Sequence, residues 1–206
     1  MVKKQRPTTG SASASPGRPR DHSKDDAIMA AMIAMLSIHG YDGASFEKVA
    51  AAAGVSRPSI YRRWTGKELL VVDAVRAMLS EDMADFENSR AESGLDKIRR
   101  LMEIVARRLA DPVKSNIIIT IVSAANSHEE LAVLLGDLEF QRRTPLVDAV
   151  RQAQAAGELS QSLDPDLVAE ALLGTVYFRR LFSLHKPDGR TIQQVVDGIL
   201  GIAPEN

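Results

Sequence analysis

Seven helix-start signals punctuate the 206 residues of this chain, and no segment between them sustains the apolar/polar alternation of a β-strand. Ser23 with Asp26, Thr65 with Glu68, Ser93 with Asp96, Ser127 with Glu130 and Thr191 with Gln194 each set a hydroxyl three residues ahead of a carboxylate or amide. Such pairs satisfy the orphan N–H groups of a first helical turn. Asp111-Pro112 and Asp164-Pro165 start helices another way: Asp caps, and proline follows at the first helical position, where a missing N–H does no harm. Hydrophobic residues make up 45% of the chain but aromatic residues only 4%, a mix that suits helices better than a sandwich or barrel. The expected fold is all-α, with about nine helices. The first carries Ile28, Met32, Met35, Leu36 and His39 on one stripe and ends at Gly40. A long one runs from Gly66 to about residue 90, residues 117–125 are apolar nearly all round and should be buried, and the helix containing Pro145 should kink there.

Residues 45–67, SFEKVAAAAGVSRPSIYRRWTGK, carry the sharpest local pattern. Ala53-Gly54-Val55 reads as a tight turn between two short helices, about 45–52 and about 56–63, with Ser45 capping the first and Ser56 opening the second. Val49 and Ala52 are expected behind Phe46, and Ile60 with Trp64 on the buried side of the second helix. Its other side presents Arg57, Ser59, Tyr61, Arg62 and Arg63, dense in groups that bond phosphates and base edges. Two helices held by a short turn, the second of them basic, are the geometry by which a helix enters the major groove of DNA. Arg57 and Arg62 carry the fork that suits guanine O6 and N7, whereas Glu47 could only accept, for instance from cytosine N4.

Charge separates in the same sense. Up to Gly66 there are ten Lys/Arg against five Asp/Glu, so the net −1 conceals a basic head on an acidic body. Residues 1–22 are rich in Ser, Pro, Gly and Lys/Arg, with almost nothing to bury, and are expected to be disordered without a partner. Within them, Arg18 and Arg20 flank Pro19 on an arm of the kind that enters the narrow minor groove of A·T-rich DNA. A solubilising tail has the same composition, and both readings stay open.

Other chemistry finds little footing. The chain has no cysteine, which excludes disulfides, thiolate zinc sites and cysteine nucleophiles. His22, His39, His128 and His185 stand singly, and no Gly-rich phosphate loop, Gly-x-Ser-x-Gly elbow or His-Glu-x-x-His motif occurs. No catalytic residue, cofactor or metal is expected, and the chain does not read as an enzyme. No apolar run approaches the roughly 18 residues of a membrane helix, and the N-terminus has no apolar h-region. A soluble, cytoplasmic protein is expected.

Gly40-Tyr41, Ser45, Val49-Ala50, Ala53-Gly54-Val55-Ser56, Ile60-Tyr61, Trp64 and Lys67-Glu68-Leu69-Leu70 follow one another without gaps. Together they closely resemble the pattern of the TetR family of bacterial transcriptional regulators, with Trp64 where Phe is usual and Arg63 where His is common. The match covers the first third of the chain; the rest is similar to the family in length and helical pattern. The resemblance implies a helix-turn-helix DNA-binding domain at 23–66 behind the arm of 1–22, then a helical effector-binding and dimerisation domain at 67–206. It implies that Tyr61 and Lys67 touch phosphate and that Pro58 and Ser59 approach bases. Ser45, Phe46, Arg57, Arg62 and Arg63 complete the expected interface, with Arg18 and Arg20 from the arm.

In the body, Leu167, Ala171, Gly174, Phe178 and Leu181 form one stripe, extended by Val168, Leu172, Thr175 and Phe182, and the last helix adds Ile192, Val195, Val196, Ile199 and Leu200. Periodicity alone leaves packing within one subunit open. The resemblance favours a four-helix dimer interface made of two copies of this helix pair, holding Leu167, Ala171, Gly174, Thr175, Phe178, Val195 and Ile199. The middle helices then enclose a cavity for a small apolar effector, lined by Met102, Phe140 and Tyr177. The function expected is that of a homodimeric, ligand-responsive regulator, a repressor by family habit. It binds a near-palindromic operator and is released when the effector moves the helix after Lys67. The alternative is a dimeric small-molecule or protein-binding module that has lost operator recognition.

Overall fold

The computed structural model describes residues 22–80, 83, 93–182 and 189–202. Among these residues run nine α-helices and no strand: α1 His22–Gly43, α2 Phe46–Ala53, α3 Arg57–Tyr61, α4 Lys67–Ser80, α5 Gly94–Ala110, α6 Pro112–Ala125, α7 Glu129–Ala155, α8 Pro165–Phe182 and α9 Gly189–Leu200. Arg18, Arg20 and the expected run of the fourth helix to about residue 90 lie outside the described residues. No helix of the described residues is long and apolar enough to cross a membrane.

In the head, α1 packs on α2 and α2 on α3. α1 buries Ile28, Met32 and Leu36. His39, expected on the same stripe, is exposed, and the chain returns to the core only at Tyr41, past the break at Gly40. Ser45 caps α2, its hydroxyl accepting from the Lys48 amide at 3.4 Å. Gly54 closes α2 at φ +64°, its amide donating to the Ala50 and Ala51 carbonyls, a left-handed cap that glycine forms at least cost. Phe46, Val49 and Ala50 are buried, whereas Ala52 is exposed, contrary to expectation. At 3.6 residues per turn the core face of this helix is 46, 49, 50 and 53, which leaves 52 outside. α3 stops at Tyr61, two residues early, and the following turn carries Trp64 back inside, where Nε1 donates to Asp73 at 2.9 Å.

α4 joins head to body, packing on α1 on one side and α7 on the other. Leu70, Val71, Val72, Ala74, Val75, Met78 and Leu79 are buried along it. α5 is the hub of the body, in contact with α6, α7, α8 and α9. Its start follows the expected cap, with the Ser93 hydroxyl accepting from the Asp96 amide at 3.1 Å. Asp111 and Asp164 cap α6 and α8 in the same manner, each accepting two amides at 2.8–3.1 Å. α6 buries Ile117, Ile118 and Ile121 but leaves Val122 57% exposed, so it is apolar all round without being buried all round. α7 has His128 rather than Ser127 at its N-cap position, with no side-chain bond to the first turn, and runs through Pro145 as one element. One continuous core joins head and body, from Ile28 and Trp64 to Leu138, Leu172 and Val196. Val168 and Leu172, expected to extend the dimer face, belong to this internal core, as do Ile192, Val196 and Leu200.

Gly94 shows how closely the body is packed. A Cβ added there would lie 2.3 Å from the Ala153 backbone nitrogen and 2.6 Å from its Cα. Backbone cannot yield as a side-chain tip does, so α5 and α7 must separate. Gly94→Ala is expected to destabilise the fold by about 1–3 kcal/mol or more, read as a lowered midpoint in thermal or urea unfolding. An unchanged midpoint would mean that the two helices do not meet at this point.

Candidate nucleic-acid interface and effector cavity

The exposed side of α2 and α3 gathers the expected interface residues. Ser45 stands at the start of α2, and Arg57, Pro58, Tyr61 and Arg62 are exposed on or just after α3. Ser59 is partly buried, sharing a 2.8 Å hydrogen bond with Ser56, and its hydroxyl accepts from Arg62 at 3.3 Å. Tyr61 is half exposed, its ring meeting Phe46 edge-on at 4.9 Å between centroids. That contact aims the hydroxyl outward from a fixed ring.

Two residues of the expected set face elsewhere. Phe46 has its side chain in the core, 6% exposed, so its part in the head is to seat Tyr61. Arg63 turns inward: its Nε pairs with Asp25 of α1, and Nη1 donates to the Ser59 carbonyl at 2.9 Å. At 3.6 residues per turn residue 63 falls between the partly buried Ser59 and the buried Ile60, away from the exposed Arg57 and Arg62, and it ties the end of the recognition helix to α1.

Lys67 lies where head meets body. Its ammonium donates to the Tyr41 carbonyl at 3.2 Å and stands 3.9 Å above the Tyr41 ring. This uses one of three donors. The Tyr41 hydroxyl donates to Glu68 at 2.6 Å, and its ring meets His128, which bonds Asp42 at 3.1 Å. The ends of α1, α4 and α7 therefore meet in one polar seam. Glu68, expected to cap its own helix, shares its carboxylate between Tyr41 and its own first-turn amide.

Burial raises the Glu68 pKa, but the Tyr41 hydrogen bond, its own amide and the Lys67 charge outweigh it, and the net shift is downward from 4.5. Burial, then the bond to Glu68 and its charge, raises the Tyr41 pKa above 10.0. A depressed carboxylate contributes stability above its unfolded value and loses it as pH falls through the folded one; a raised tyrosine contributes below its unfolded value and loses it as pH rises. The seam is thus at full strength between about pH 4.5 and 10. Glu68→Gln is expected to flatten the acid limb of the melting temperature against pH, and an unaltered limb would show that this carboxylate does not hold the seam.

Inside the body, α4, α5, α6, α7 and α8 surround a cavity of about 310 Å³ lined by Val75, Leu79, Ile118, Ile121, Leu138 and Tyr177 among others. A second chamber of about 330 Å³ adjoins it, with Met102, Ile104 and Leu146 in its wall. Val105, Arg108, Arg142 and Leu173 border both. Tyr177 lines the first cavity and Met102 the second. Phe140 does not: it is 64% exposed on the outer face of α7, since the inward face there is already taken by Leu138, Gln141 and Arg142. The sequence reading overlooked Arg108, which is buried and donates to the Leu79 carbonyl at 3.1 Å. A cation on the apolar stripe of Leu101, Ile104 and Val105 was the available signal. Arg143, at the mouth, bonds Glu170 at 2.6 Å and joins α7 to α8. Among the described residues, no group of three His, Asp or Glu side chains is placed to hold a metal ion.

Leu167, Ala171, Gly174 and Phe178 are exposed on α8, with Thr175 partly so, its hydroxyl turned back to the Ala171 carbonyl at 2.8 Å. Leu181 and Phe182 continue this apolar face, and Val195 and Ile199 of α9 are partly exposed.

The family model "Bacterial regulatory proteins, tetR family" matches residues 28–74, and "Tetracyclin repressor-like, C-terminal domain" matches residues 93–199. An HTH-type transcriptional regulator of Mycobacterium tuberculosis is 26% identical over 187 residues, covering 89% of this chain and 91% of that one. The DNA-binding transcriptional repressor TetR of Mycobacteroides abscessus is 26% identical over 159 residues, 75% of this chain and 82% of its own. The fold is that of the transcriptional regulator FadR from Bacillus subtilis, solved in complex with stearoyl-CoA, with a TM-score of 0.70 at 17% identity over 86% of this chain and 98% of that one. The two family models span both the helix-turn-helix head and the cavity-bearing body, and the chain belongs to the TetR family of bacterial regulatory proteins, transcriptional regulators that bind DNA.

Proposed function

We propose that this regulator is a homodimeric repressor that leaves its operator when a small apolar effector enters the body. The observation that carries the reading is the double cavity. Its walls include Val75 and Leu79 of α4 and Leu135 and Leu138 of α7, and both helices begin in the polar seam against the head. A ligand that fits only one setting of α4 and α7 biases that setting, and can shift the equilibrium only by its difference in affinity for the two. Two recognition helices must meet successive major grooves roughly 34–36 Å apart, so a few ångströms at the seam is enough to spoil the fit.

The division of labour follows: residues 23–66 bind DNA, and 67–206 bind the effector and a second subunit. Ser45, Tyr61 and Lys67 contact phosphate, while Arg57, Pro58, Ser59 and Arg62 approach base edges, with Arg18 and Arg20 of the arm in the adjacent minor groove. Repression fits the likeness to the Mycobacteroides abscessus repressor, and DNA as partner puts the protein in the bacterial cytoplasm. The apolar walls favour an effector with an extended hydrocarbon part, in keeping with the acyl ligand of Bacillus subtilis FadR.

Leu173 borders both chambers and is partly exposed. Leu173→Trp should intrude on both chambers and leave the fold and DNA binding intact. A long-chain acyl-CoA series gives the test. The binding member is expected to stabilise the wild type by about 2.7 kcal/mol at a hundred times its Kd and to release DNA, and the variant to lose both effects. A ligand that stabilises the wild type yet leaves the DNA complex intact would refute release as the mechanism.

A further inference from the structure

We infer that Glu47 is the positioning residue that sets the fork of Arg57 on the DNA, and that it turns a basic surface into a sequence-selective one. The inference rests on the operator-binding reading above. Glu47 is the second residue of α2 and Arg57 the first of α3, and their side chains form an ion pair across the turn while each remains about half exposed, 52% and 54%. The pair stands among Ser45, Tyr61 and Arg62, on the side of the head that faces DNA. An exposed pair of this kind adds little to folding stability, so its effect is to be sought in binding.

The carboxylate is itself held. Its own amide and the Ser45 hydroxyl bond it at the first turn of α2, and with the Arg57 charge they keep its pKa below the ordinary carboxylate value. It therefore stays anionic at neutral pH. Two consequences follow from a fixed anion at this place. One edge of the Arg57 guanidinium is taken, which restricts a flexible side chain to the few orientations that present its other donors to O6 and N7 of guanine. The same charge also offsets that of Arg57, so a phosphate that meets the guanidinium in a non-specific complex gains less from it. Non-specific binding is weakened, while the specific complex keeps its base contact. Selectivity is the difference between the two.

The test uses the full-length protein and a random-sequence duplex library, comparing the motifs enriched by wild type, Glu47→Gln, Arg57→Ala and the double variant, with titrations on the selected site and a scrambled duplex at one salt concentration. The wild type is expected to select guanine at one position per half-site. Arg57→Ala should lose that preference, on the order of tenfold. Glu47→Gln should lose it at the same position, bind the scrambled duplex severalfold more tightly and melt at the wild-type temperature. The double variant should show no further loss, because the two residues act as one unit. Loss of preference at a different base pair in Glu47→Gln would mean that the carboxylate reads a base itself, and an unchanged motif would mean that it does nothing to Arg57; either overturns the inference. A wild type that enriches no motif sinks the operator reading beneath it as well.

Discussion

Raising monovalent salt from about 50 to about 200 mM is expected to weaken operator binding by about 10³–10⁵-fold. Each phosphate neutralised by Lys or Arg frees condensed counterions, and the two-headed complex proposed above, touching about six to ten phosphates, has an expected log–log slope of about −5 to −9. The residues behind the slope can be told apart. Lys67→Ala removes an ammonium with two donors left after the Tyr41 carbonyl has taken one, and should flatten the slope by about one unit per half-site on every sequence. Arg63→Ala should leave the slope untouched, because its guanidinium faces Asp25 and the Ser59 carbonyl rather than the exposed side; its cost should appear in thermal unfolding. Titrations at four or five salt concentrations decide the matter. A flat wild-type response would remove the phosphate contacts from the account, and an Arg63→Ala slope as shallow as that of Lys67→Ala would return Arg63 to the interface.

Arg63 also illustrates what was legible in the sequence and what was not. Helix starts are local events: the caps at Ser45, Ser93, Asp111 and Asp164 need only their own next three residues, and each stands where the sequence put it. The left-handed turn at Gly54 is equally local. Side-chain direction at a helix end depends on the last turn, and one residue more or less swings the next side chain by about 100°. At that spacing Arg63 falls between the partly buried Ser59 and the buried Ile60, off the face of Arg57 and Tyr61, where Asp25 of α1 meets it. Phe46, Ala52 and Phe140 sit on regular helices instead, where residue type alone does not say which face the neighbouring helices cover. The seam of Tyr41, Lys67, Glu68 and His128 joins residues up to 87 positions apart, and no spacing rule reaches that far. Arg108 lies between these cases: its place on an apolar stripe is visible in the sequence, whereas the two chambers it borders exist only once five helices are assembled.

Gly174→Leu should leave the folded subunit at least as stable as the wild type while abolishing the dimer proposed above, and operator binding with it. Within one subunit the substitution meets no obstacle, since a Cβ at this position has nothing within 4 Å. Glycine inside a helix costs about 1 kcal/mol relative to a good helix former, so α8 should gain by the change. The penalty falls entirely on what covers this face from outside. Leu167 and Phe178 are 64% and 63% exposed on either side of Gly174, and an apolar stripe of that length is seldom left to water. A second α8 crossing at Gly174 and Ala171 covers it best, because small side chains let two helices approach closely, and an added isobutyl group in such a contact typically costs about 1–3 kcal/mol or more on each side of the symmetry axis. Loss of the dimer also uncouples the two heads, forfeiting an avidity of about 10²–10⁴ that a single half-site cannot replace. Sedimentation beside an operator titration reads both effects, and thermal unfolding confirms that the subunit is intact. If Gly174→Leu stayed dimeric at micromolar concentration, the subunits would have to meet on another surface, and the exposed stripe of α8 would need a different partner.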